Sequence, residues 1–361
     1  MTLASNPQLL RSHNFSALQP GVRLIVLGAV HGNETCGTRG IEHVLAELES
    51  GALHIARGSV TLVPVTNALA YQRGQRMGER NLNRNLRPHS APADHEDRIA
   101  NVLCPLLAQH QVLLDLHSFH SPGEPFAMIG PPDNTGPLEP FAHAAQEEAL
   151  ALRLGPRRLV EGWLDTYAVG VQNRLQRSSA NESIKVDEAT AGRAPGRSQA
   201  GPHPLGGLIA VPGGRGAPSV STDPSYGVGT TEYMRSVGGC AITLECGQHS
   251  DPQAADVAYR AIRHTLAHLG LVDEPPPAPC AGFELLRLAE VTDRHHAGDQ
   301  LARAWASYDR VREGELVGTR HDGTAVQAPA DGFIVFPNPN ALPGNEWFYF
   351  AQLSTRPLRA E

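Results

Sequence analysis

Apolar runs and amphipathic stretches alternate along the first 270 residues of the chain. Residues 22–30 are almost uninterruptedly apolar and short, which is typical of a strand buried on both faces of a sheet. A run of apolar positions at helical spacing follows and predicts a helix ending at Gly51: Ile41, Val44, Leu45 and Leu48. The first predicted unit is therefore a strand, a polar loop beginning at His31, and a helix.

The same alternation continues to residue 269. Further short apolar runs predict strands at 59–66, 112–116 and 241–244. Amphipathic periodicity predicts helices over 99–107, 141–154 and 253–269, the first of them containing Pro105. Strands that alternate with helices predict an α/β domain with a mostly parallel sheet, which we assign to residues 1–272.

Two segments interrupt or end this pattern. Residues 187–233 are dominated by Gly, Pro, Ser and Arg, and we expect an insertion that covers the functional site. Residues 273–280 contain three consecutive prolines, which cannot extend a helix or a central strand, so we expect a linker there. Beyond the linker, residues 281–361 carry short β-like runs and Asp-Gly pairs at 322–323 and 331–332, which predict a small β domain with tight hairpins.

Composition narrows the classes of function. The 30 Lys and Arg residues against 37 Asp and Glu give a formal charge of −7, without a basic run, so we expect no nucleic-acid partner. No apolar run approaches the ~20 residues needed to cross a bilayer, and the first residues do not resemble a signal peptide. We therefore expect a cytoplasmic protein that acts on a small molecule. The five cysteines show no CxxC pair, which disfavours a disulfide framework and a thiolate zinc cluster.

Polar residues follow the predicted strands where each strand ends. His31 and Glu34 come after the first strand, His117 after the third, and Glu245 after the fourth. Loops at the carboxyl ends of parallel strands meet at one edge of a sheet, where α/β proteins bind ligands. Two histidines and a carboxylate are the ligands of many catalytic zinc sites, and a further carboxylate can serve as general base. On spacing alone, two alternatives remain open. The His31–Glu34 pair and Glu245 can be solvent-exposed polar residues, and His117 can be a hydrogen-bonded histidine near the end of a strand.

Four motifs in order resemble the succinylglutamate desuccinylase/aspartoacylase family, which is related to the zinc carboxypeptidases. The C-terminal stretch from Gly314 to Pro337 also resembles the β domain that these enzymes append. The motifs are His31-Gly-Asn-Glu34-Thr, Arg76 with Asn81-Leu-Asn83-Arg84, Asp115-Leu-His117-Ser, and Thr243-Leu-Glu245. The resemblance implies a doubly wound sheet of zinc-carboxypeptidase type followed by a small C-terminal β domain.

The resemblance also implies roles for individual residues. One Zn²⁺ per chain would be bound by His31, Glu34 and His117, and Glu245 would activate water for attack on an amide carbonyl. Arg76 would stabilise the oxyanion, and Asn83 and Arg84 would bind the substrate carboxylate. The expected substrate is an N-acyl amino acid or a similar small amide bearing a carboxylate.

Position 81 departs from the family pattern. The family has Asp where this chain has Asn81, and that Asp would accept a hydrogen bond from a zinc-ligating imidazole. An amide oxygen accepts the bond without adding negative charge, which predicts weaker metal affinity. Asp115 lies two residues before His117 on the same strand face, so it is a candidate substitute, although a capping role is an equal alternative.

Three other functions stay open at this level. The first is a zinc metallocarboxypeptidase, and the second is a non-catalytic binding homologue, which the Asn at position 81 favours. The third is a cysteine hydrolase that uses Cys36 or Cys246, both of which lie beside the proposed site. The sequence ranks neither the acyl group nor the amino acid, and it leaves assembly into homo-oligomers open.

Overall fold

The computed structural model describes residues 9–176 and 223–359 of the chain. Residues 187–222, the larger part of the predicted insertion, lie outside the described residues. The remaining part, residues 223–233, contains a 3₁₀ helix at Pro224–Gly227 and the start of a helix at Thr230. Local capping and burial therefore give this end of the segment helical structure, and the assignment of residues 187–233 as an insertion stays a prediction.

The described residues form fourteen strands and seven α-helices. The strands are β1 (His13–Ser16), β2 (Arg23–Leu27), β3 (Ser59–Val63), β4 (Val112–Phe119), β5 (Phe126–Met128), β6 (Arg158–Glu161), β7 (Cys240–Gln248), β8 (Glu284–Asp293), β9 (Gln300–Leu301), β10 (Arg310–Val311), β11 (Leu316–Thr319), β12 (Ala325–Gln327), β13 (Gly332–Val335) and β14 (Glu346–Leu353). The helices are α1 (Cys36–Ser50), α2 (Ala68–Arg73), α3 (His95–Leu107), α4 (Ala144–Ala151), α5 (163–176), α6 (Thr230–Ser236) and α7 (Ala254–His268).

One large mixed sheet organises the fold. Its strand order is β1-β3-β2-β4-β7-β5-β6-β8-β14-β13-β10, and a small antiparallel sheet has the order β12-β11-β9. Strands β3, β2, β4 and β7 run parallel at the centre, whereas β5 is antiparallel to β7 and parallel to β6. The prediction of an α/β fold with a mostly parallel sheet and added β structure is confirmed.

Helices cover both faces of the central strands. On β2, Leu24 and Val26 lie in the core layer beneath α1 and α7, and Ile25 and Leu27 lie in the layer beneath α3. Each fully buried side chain of this kind contributes about 1.5–3 kcal/mol of hydrophobic free energy. The uninterrupted apolar run in the sequence therefore reflects a strand that has no solvent-exposed face.

Helix ends follow the local sequence signals. Gly51 adopts a left-handed conformation with φ of 77°, and its N–H bonds to the Leu48 carbonyl, which ends α1 where the sequence predicts. The side chain of Asp94 accepts a hydrogen bond from the Asp97 N–H and caps α3. None of the described helices is both long enough and apolar enough to span a membrane.

The two Asp-Gly pairs have different roles. Gly323, with φ of 89°, lies in the turn between the antiparallel strands β11 and β12, as predicted. The hairpin prediction is wrong for the second pair, because Gly332 opens strand β13. A Cβ at Gly332 would lie 2.4 Å from the Ala351 carbonyl oxygen, so glycine is needed there for the close approach of β14.

The C-terminal strands continue the large sheet. Strand β8 pairs in parallel with β6, and β14 pairs antiparallel with β8. The segment 273–280 between these parts contains no helix or strand. Strand pairing thus connects the α/β part to the β part, and the division into two domains stays a prediction.

Candidate metal and catalytic site

Three neighbouring central strands bring the predicted site residues together. In the sheet register, Leu27 of β2 lies beside Asp115 of β4, and His117 of β4 lies beside Glu245 of β7. His31 follows β2 in a loop that packs closely against α2. A Cβ at Gly32 would lie 2.0 Å from the Ala70 carbonyl carbon, so only glycine fits at this position. The sequence prediction that strand ends collect these residues matches the observed placement.

His31, Glu34 and His117 form a buried cluster. One carboxylate oxygen of Glu34, Oε1, lies 2.9 Å from His31 Nδ1, and the other, Oε2, lies 2.8 Å from His117 Nδ1. The three side chains are at most 3% exposed. One ligand atom from each residue lies within 4.8 Å of the others, which is close enough for all three to contact one ion.

The donor set fits a divalent cation. His31 Nδ1 is buried without a hydrogen-bond partner among the described residues, although Glu34 Oε1 is close to it. Burial lowers the pKa of His31 to about 4, so the ring is neutral and offers a lone pair. Burial opposes ionisation of Glu34, yet the two imidazoles hold its pKa well below the usual range. Burial lowers the pKa of His117, but Asp115 and Glu34 outweigh burial and raise it well above the usual value, so a bound cation would displace a proton from this ring. Two imidazoles and a carboxylate are ligands that zinc prefers.

Each imidazole is held from behind by a second polar group. His117 Nε2 lies 2.9 Å from Asp115 Oδ2, and His31 Nε2 donates to Asn81 Oδ1 at 3.0 Å. Such contacts fix the ring orientation and leave Nδ1 facing the cluster. Asp115 therefore supports His117, and it does not replace the carboxylate that is absent at position 81.

We expect Asn81→Asp to raise metal affinity by about 10–100-fold, because a carboxylate behind His31 increases the basicity of the ring. Competition with a chromogenic chelator measures the change. Asn83→Asp is the matched control, since its side chain accepts from Thr230 N–H at 2.9 Å and contacts no imidazole. Unchanged affinity in Asn81→Asp would contradict the role of this contact.

Glu245 is a buried carboxylate with an unused oxygen. It is 8% exposed, and its Oε2 has no hydrogen-bond partner among the described residues. Burial raises the pKa of Glu245 to about 8, and the nearby His117 opposes this rise. The carboxyl group therefore titrates close to neutral pH beside the cluster.

Arg76 and the pair Asn83 and Arg84 lie around the same cavity. Arg76 Nη1 is 3.0 Å from Glu34 Oε1, and the arginine side chain is about half exposed. Asn83 Oδ1 accepts the N–H of Thr230 at 2.9 Å. Arg84 is 9% exposed, and its guanidinium carbon lies 4.9 Å from the centre of the Trp163 ring. All three face one cavity together with the histidines and Glu245.

That cavity has a volume of about 250 Å³, which suits a small molecule. The sequence-predicted residues lining it are His31, Arg76, Asn83, Arg84, His117 and Glu245. Residues from the C-terminal strands and from α6 line it as well, among them Glu232, Phe336, Glu346 and Tyr349. The cavity is thus enclosed by segments that are far apart in the sequence.

Several residues at the site were not identified from the sequence. Thr230 donates its hydroxyl to Asp115 and its N–H to Asn83. A capping signal for its helix exists in Gly229 and Glu232, whose side chain accepts the Gly229 N–H at 2.9 Å. That signal was hidden inside the predicted insertion. His249 is another such residue: its Nδ1 lies 2.9 Å from Ser118 Oγ, and the side chain lines the cavity.

The cysteines do not form a nucleophilic site. Cys36 donates its thiol to the His117 carbonyl at 3.2 Å, and both Cys36 and Cys246 are buried. Burial raises the pKa of Cys246 well above its usual range, so the group remains a thiol. A hydrogen bond with Cys246 lowers the pKa of Cys36, but its sulfur is buried, and neither cysteine lines the cavity that holds the other site residues.

Solved structures of about the same length share this fold. A succinylglutamate desuccinylase/aspartoacylase from Rhodobacter sphaeroides has a TM-score of 0.63 at 16% identity, with 94% of this chain and 87% of that chain covered. The product-bound ectoine utilization protein EutE (DoeB) from Ruegeria pomeroyi has a TM-score of 0.62 at 17% identity, with 94% and 88% covered. An aspartoacylase family protein from Mesorhizobium loti has a TM-score of 0.59 at 17% identity, with 96% and 90% covered.

At this identity the structural likeness establishes the fold alone. No curated protein matches the sequence. A family model does match: residues 20–127 fit the succinylglutamate desuccinylase/aspartoacylase catalytic domain. This segment contains His31, Glu34, Arg76 and His117. The resemblance that the motifs indicate is therefore confirmed over this segment, which is similar to the succinylglutamate desuccinylase/aspartoacylase catalytic domain.

Proposed function

We propose that this protein is a zinc-dependent amide hydrolase that removes an acyl group from an N-acyl amino acid or a similar small amide bearing a carboxylate. One observation carries the proposal. The buried His31–Glu34–His117 cluster and the unpartnered carboxylate of Glu245 lie at the carboxyl ends of neighbouring strands, and His31, His117 and Glu245 line one cavity. A metal-ligand triad beside a free base is the arrangement that metal-assisted hydrolysis requires.

The three cluster residues would hold one Zn²⁺. When bound, the ion supplies Lewis acidity toward the amide carbonyl and the attacking water. Asp115 and Asn81 keep the two imidazoles oriented with Nδ1 toward the ion. The Glu34 carboxylate contributes a negative charge that interacts with both imidazole rings.

Glu245 would move the proton. It takes a proton from the attacking water, and it then delivers that proton to the nitrogen of the leaving amine as the C–N bond breaks. Its raised pKa, about 8, suits both steps, because a group with a pKa near the working pH accepts and donates with similar ease. The lack of a hydrogen-bond partner on Oε2 leaves one oxygen available.

The arginines and Asn83 would bind the substrate. Arg76 lies beside the cluster with half of its side chain exposed, so it can turn from Glu34 toward negative charge that develops on the carbonyl oxygen. Arg84 offers a planar set of donors that matches a carboxylate, and its ring contacts hold it in place. Asn83 places its side-chain amide at the same wall of the cavity.

The size of the cavity favours a deacylase over a carboxypeptidase. Phe336, Glu346 and Tyr349 from the C-terminal strands narrow it on one side, which limits it to small substrates. A peptide chain needs an open cleft instead. A non-catalytic binder would not need the unpartnered base at Glu245.

The test is a panel of N-acetyl, N-succinyl and longer N-acyl amino acids, acylated on either the α-nitrogen or a side-chain nitrogen, assayed with and without a chelator. We expect hydrolysis of at least one small amide, loss of activity after chelation, and recovery when zinc is restored. Metal analysis of the purified protein accompanies the assay and should give about one ion per chain. Activity that survives complete removal of metal would contradict the proposal, as would the absence of hydrolysis across the panel.

A further inference from the structure

A charged corner of the cavity has hydrogen-bonding capacity that the described residues do not use. It is defined by Arg84, Glu346 and Tyr349, which all line the cavity. The Tyr349 hydroxyl is buried and has no hydrogen-bond partner among the described residues. Glu346 lies 3.9 Å from Arg84 Nη2 and makes no hydrogen bond through its carboxylate in the described part of the chain. A buried hydroxyl without such a bond is costly unless a ligand satisfies it, and the Glu346 carboxylate, 29% exposed, is accessible to the same ligand.

The Tyr349 hydroxyl faces the two charged groups of this corner. Burial raises the pKa of Tyr349 well above its usual range, Glu346 raises it further, and Arg84 lowers it. The hydroxyl therefore lies in the electric field of both side chains. Its proton is available to an acceptor that enters the cavity beside Arg84.

Arg84 and Glu346 present opposite charges to the cavity side by side, because Glu346 lies 3.9 Å from Arg84 Nη2. Glu346 lies at the same distance from Arg174, which forms a two-bonded pair with Asp293 at 2.9 Å. A ligand that brings only a carboxylate to Arg84 would place a second negative charge beside Glu346. A zwitterionic ligand instead pairs with both charges, its carboxylate with Arg84 and its cation with Glu346.

The short distance between Arg84 and Glu346 limits the ligand further. Two opposite charges that contact these side chains must lie close together, as do the ammonium and carboxylate groups on the Cα atom of an α-amino acid. A nitrogen held as an ammonium by Glu346 cannot also be the acylated amide nitrogen. The scissile amide must therefore lie on another part of the ligand.

Building on the proposed function, we propose that the substrate is an amino acid whose side-chain nitrogen carries the acyl group. Its free α-amino-acid head binds in this corner, with the carboxylate on Arg84 and Tyr349 and the ammonium on Glu346. The side chain then extends through the cavity, and its amide reaches the His31–Glu34–His117 cluster. Glu346 and Tyr349 are specificity-determining residues in this arrangement.

A second group of charged residues in the cavity lining provides a rival position for the ammonium. Arg235 there bonds to Glu147 and Glu139, and Glu232 lies 3.7 Å from it. Burial raises the pKa of Glu139 to about 7, and Arg235 opposes the rise. Three carboxylates around one arginine also favour a cation. Glu139 is therefore the informative control for Glu346.

The experiment measures binding and needs no turnover. Ornithine and 5-aminopentanoate differ only in the α-amino group, and each is titrated by calorimetry into the metal-loaded wild-type protein. We expect ornithine to bind about tenfold or more tightly, because a charged hydrogen bond contributes ~1.5–3 kcal/mol. Lysine and 6-aminohexanoate repeat the comparison with a longer side chain.

Three variants localise the effect. Glu346→Gln should bring the affinity ratio of each pair close to one, and Glu139→Gln should leave it unchanged. Tyr349→Phe should weaken both members of a pair by a similar factor, since it removes a contact to the carboxylate that they share. Circular dichroism confirms that each variant is folded.

Two outcomes would overturn the inference. One is that the wild type binds neither amino acid or binds both members of each pair equally, a result that needs no variant. The other is that Glu139→Gln abolishes the preference and Glu346→Gln retains it. Failure of the acyl-amino-acid panel would instead contradict the proposed hydrolase, because these titrations do not depend on hydrolysis.

Discussion

Glu245→Gln is expected to retain bound zinc and to lower kcat by about 10²–10⁴-fold, the usual contribution of a general base. The amide is almost the same size as the carboxylate, so the packing around β7 is preserved. It cannot accept the proton from water, however, and it cannot return one to the leaving amine. Steady-state kinetics and metal analysis on the same preparation measure both parts of the expectation.

The neighbouring residue supplies the control for this substitution. Cys246 follows Glu245 on β7, is buried, and belongs to the core layer beneath α1 and α7. Cys246→Ala should therefore retain activity, whereas a cysteine hydrolase would lose it. Loss of zinc from Glu245→Gln would show that the residue is a ligand and would contradict its assignment as the base.

Glu34→Ala should abolish both metal binding and activity. Its carboxylate lies between the two imidazoles, at 2.9 Å from one and 2.8 Å from the other, so its removal deletes a ligand and the charge that both rings share. Removal of a residue that only hydrogen-bonds to a metal ligand lowers metal affinity by ~10–100-fold. We expect a larger decrease here, because Glu34 is itself a proposed ligand. Inductively coupled plasma analysis after dialysis measures the metal content.

Glu42→Ala is the matched control, because Glu42 is an exposed glutamate on the adjacent helix α1. It should retain one ion per chain and full activity. A melting curve distinguishes loss of metal from loss of the fold. If folded Glu34→Ala retained stoichiometric metal, the cluster would not be the zinc site.

The central sheet and the residues at its edge follow from local patterns. Continuous apolar runs such as residues 22–30 identify strands that are buried on both faces, and parallel strands bring their carboxyl ends to one edge. His31, His117 and Glu245 each follow such a run, so their meeting could be predicted. Asp115 reaches His117 from two residues away on the same strand, whereas the contact of Asn81 with His31 spans 50 residues and was expected only from the family resemblance.

The far wall of the cavity could not be predicted in this way. Glu346 and Tyr349 reach Arg84 from a strand about 260 residues later, and no periodicity records a contact over that separation. The role of Gly332 was missed for a related reason, because its requirement arises from the close approach of β14. Thr230 carried a local capping signal, but the Gly- and Pro-rich composition around it suggested a loop.

The parallel pairing of β6 with β8 has a consequence for how the cavity can change shape. The wall that carries Glu346 and the edge that carries His117 belong to one hydrogen-bonded sheet. A hinge between them would have to break backbone hydrogen bonds along several strands, in contrast to the loosely attached lobes that close around ligands in many enzymes. The sheet therefore fixes the distance across the cavity. Substrates whose length does not match this distance cannot be accommodated by a change in the cavity's shape.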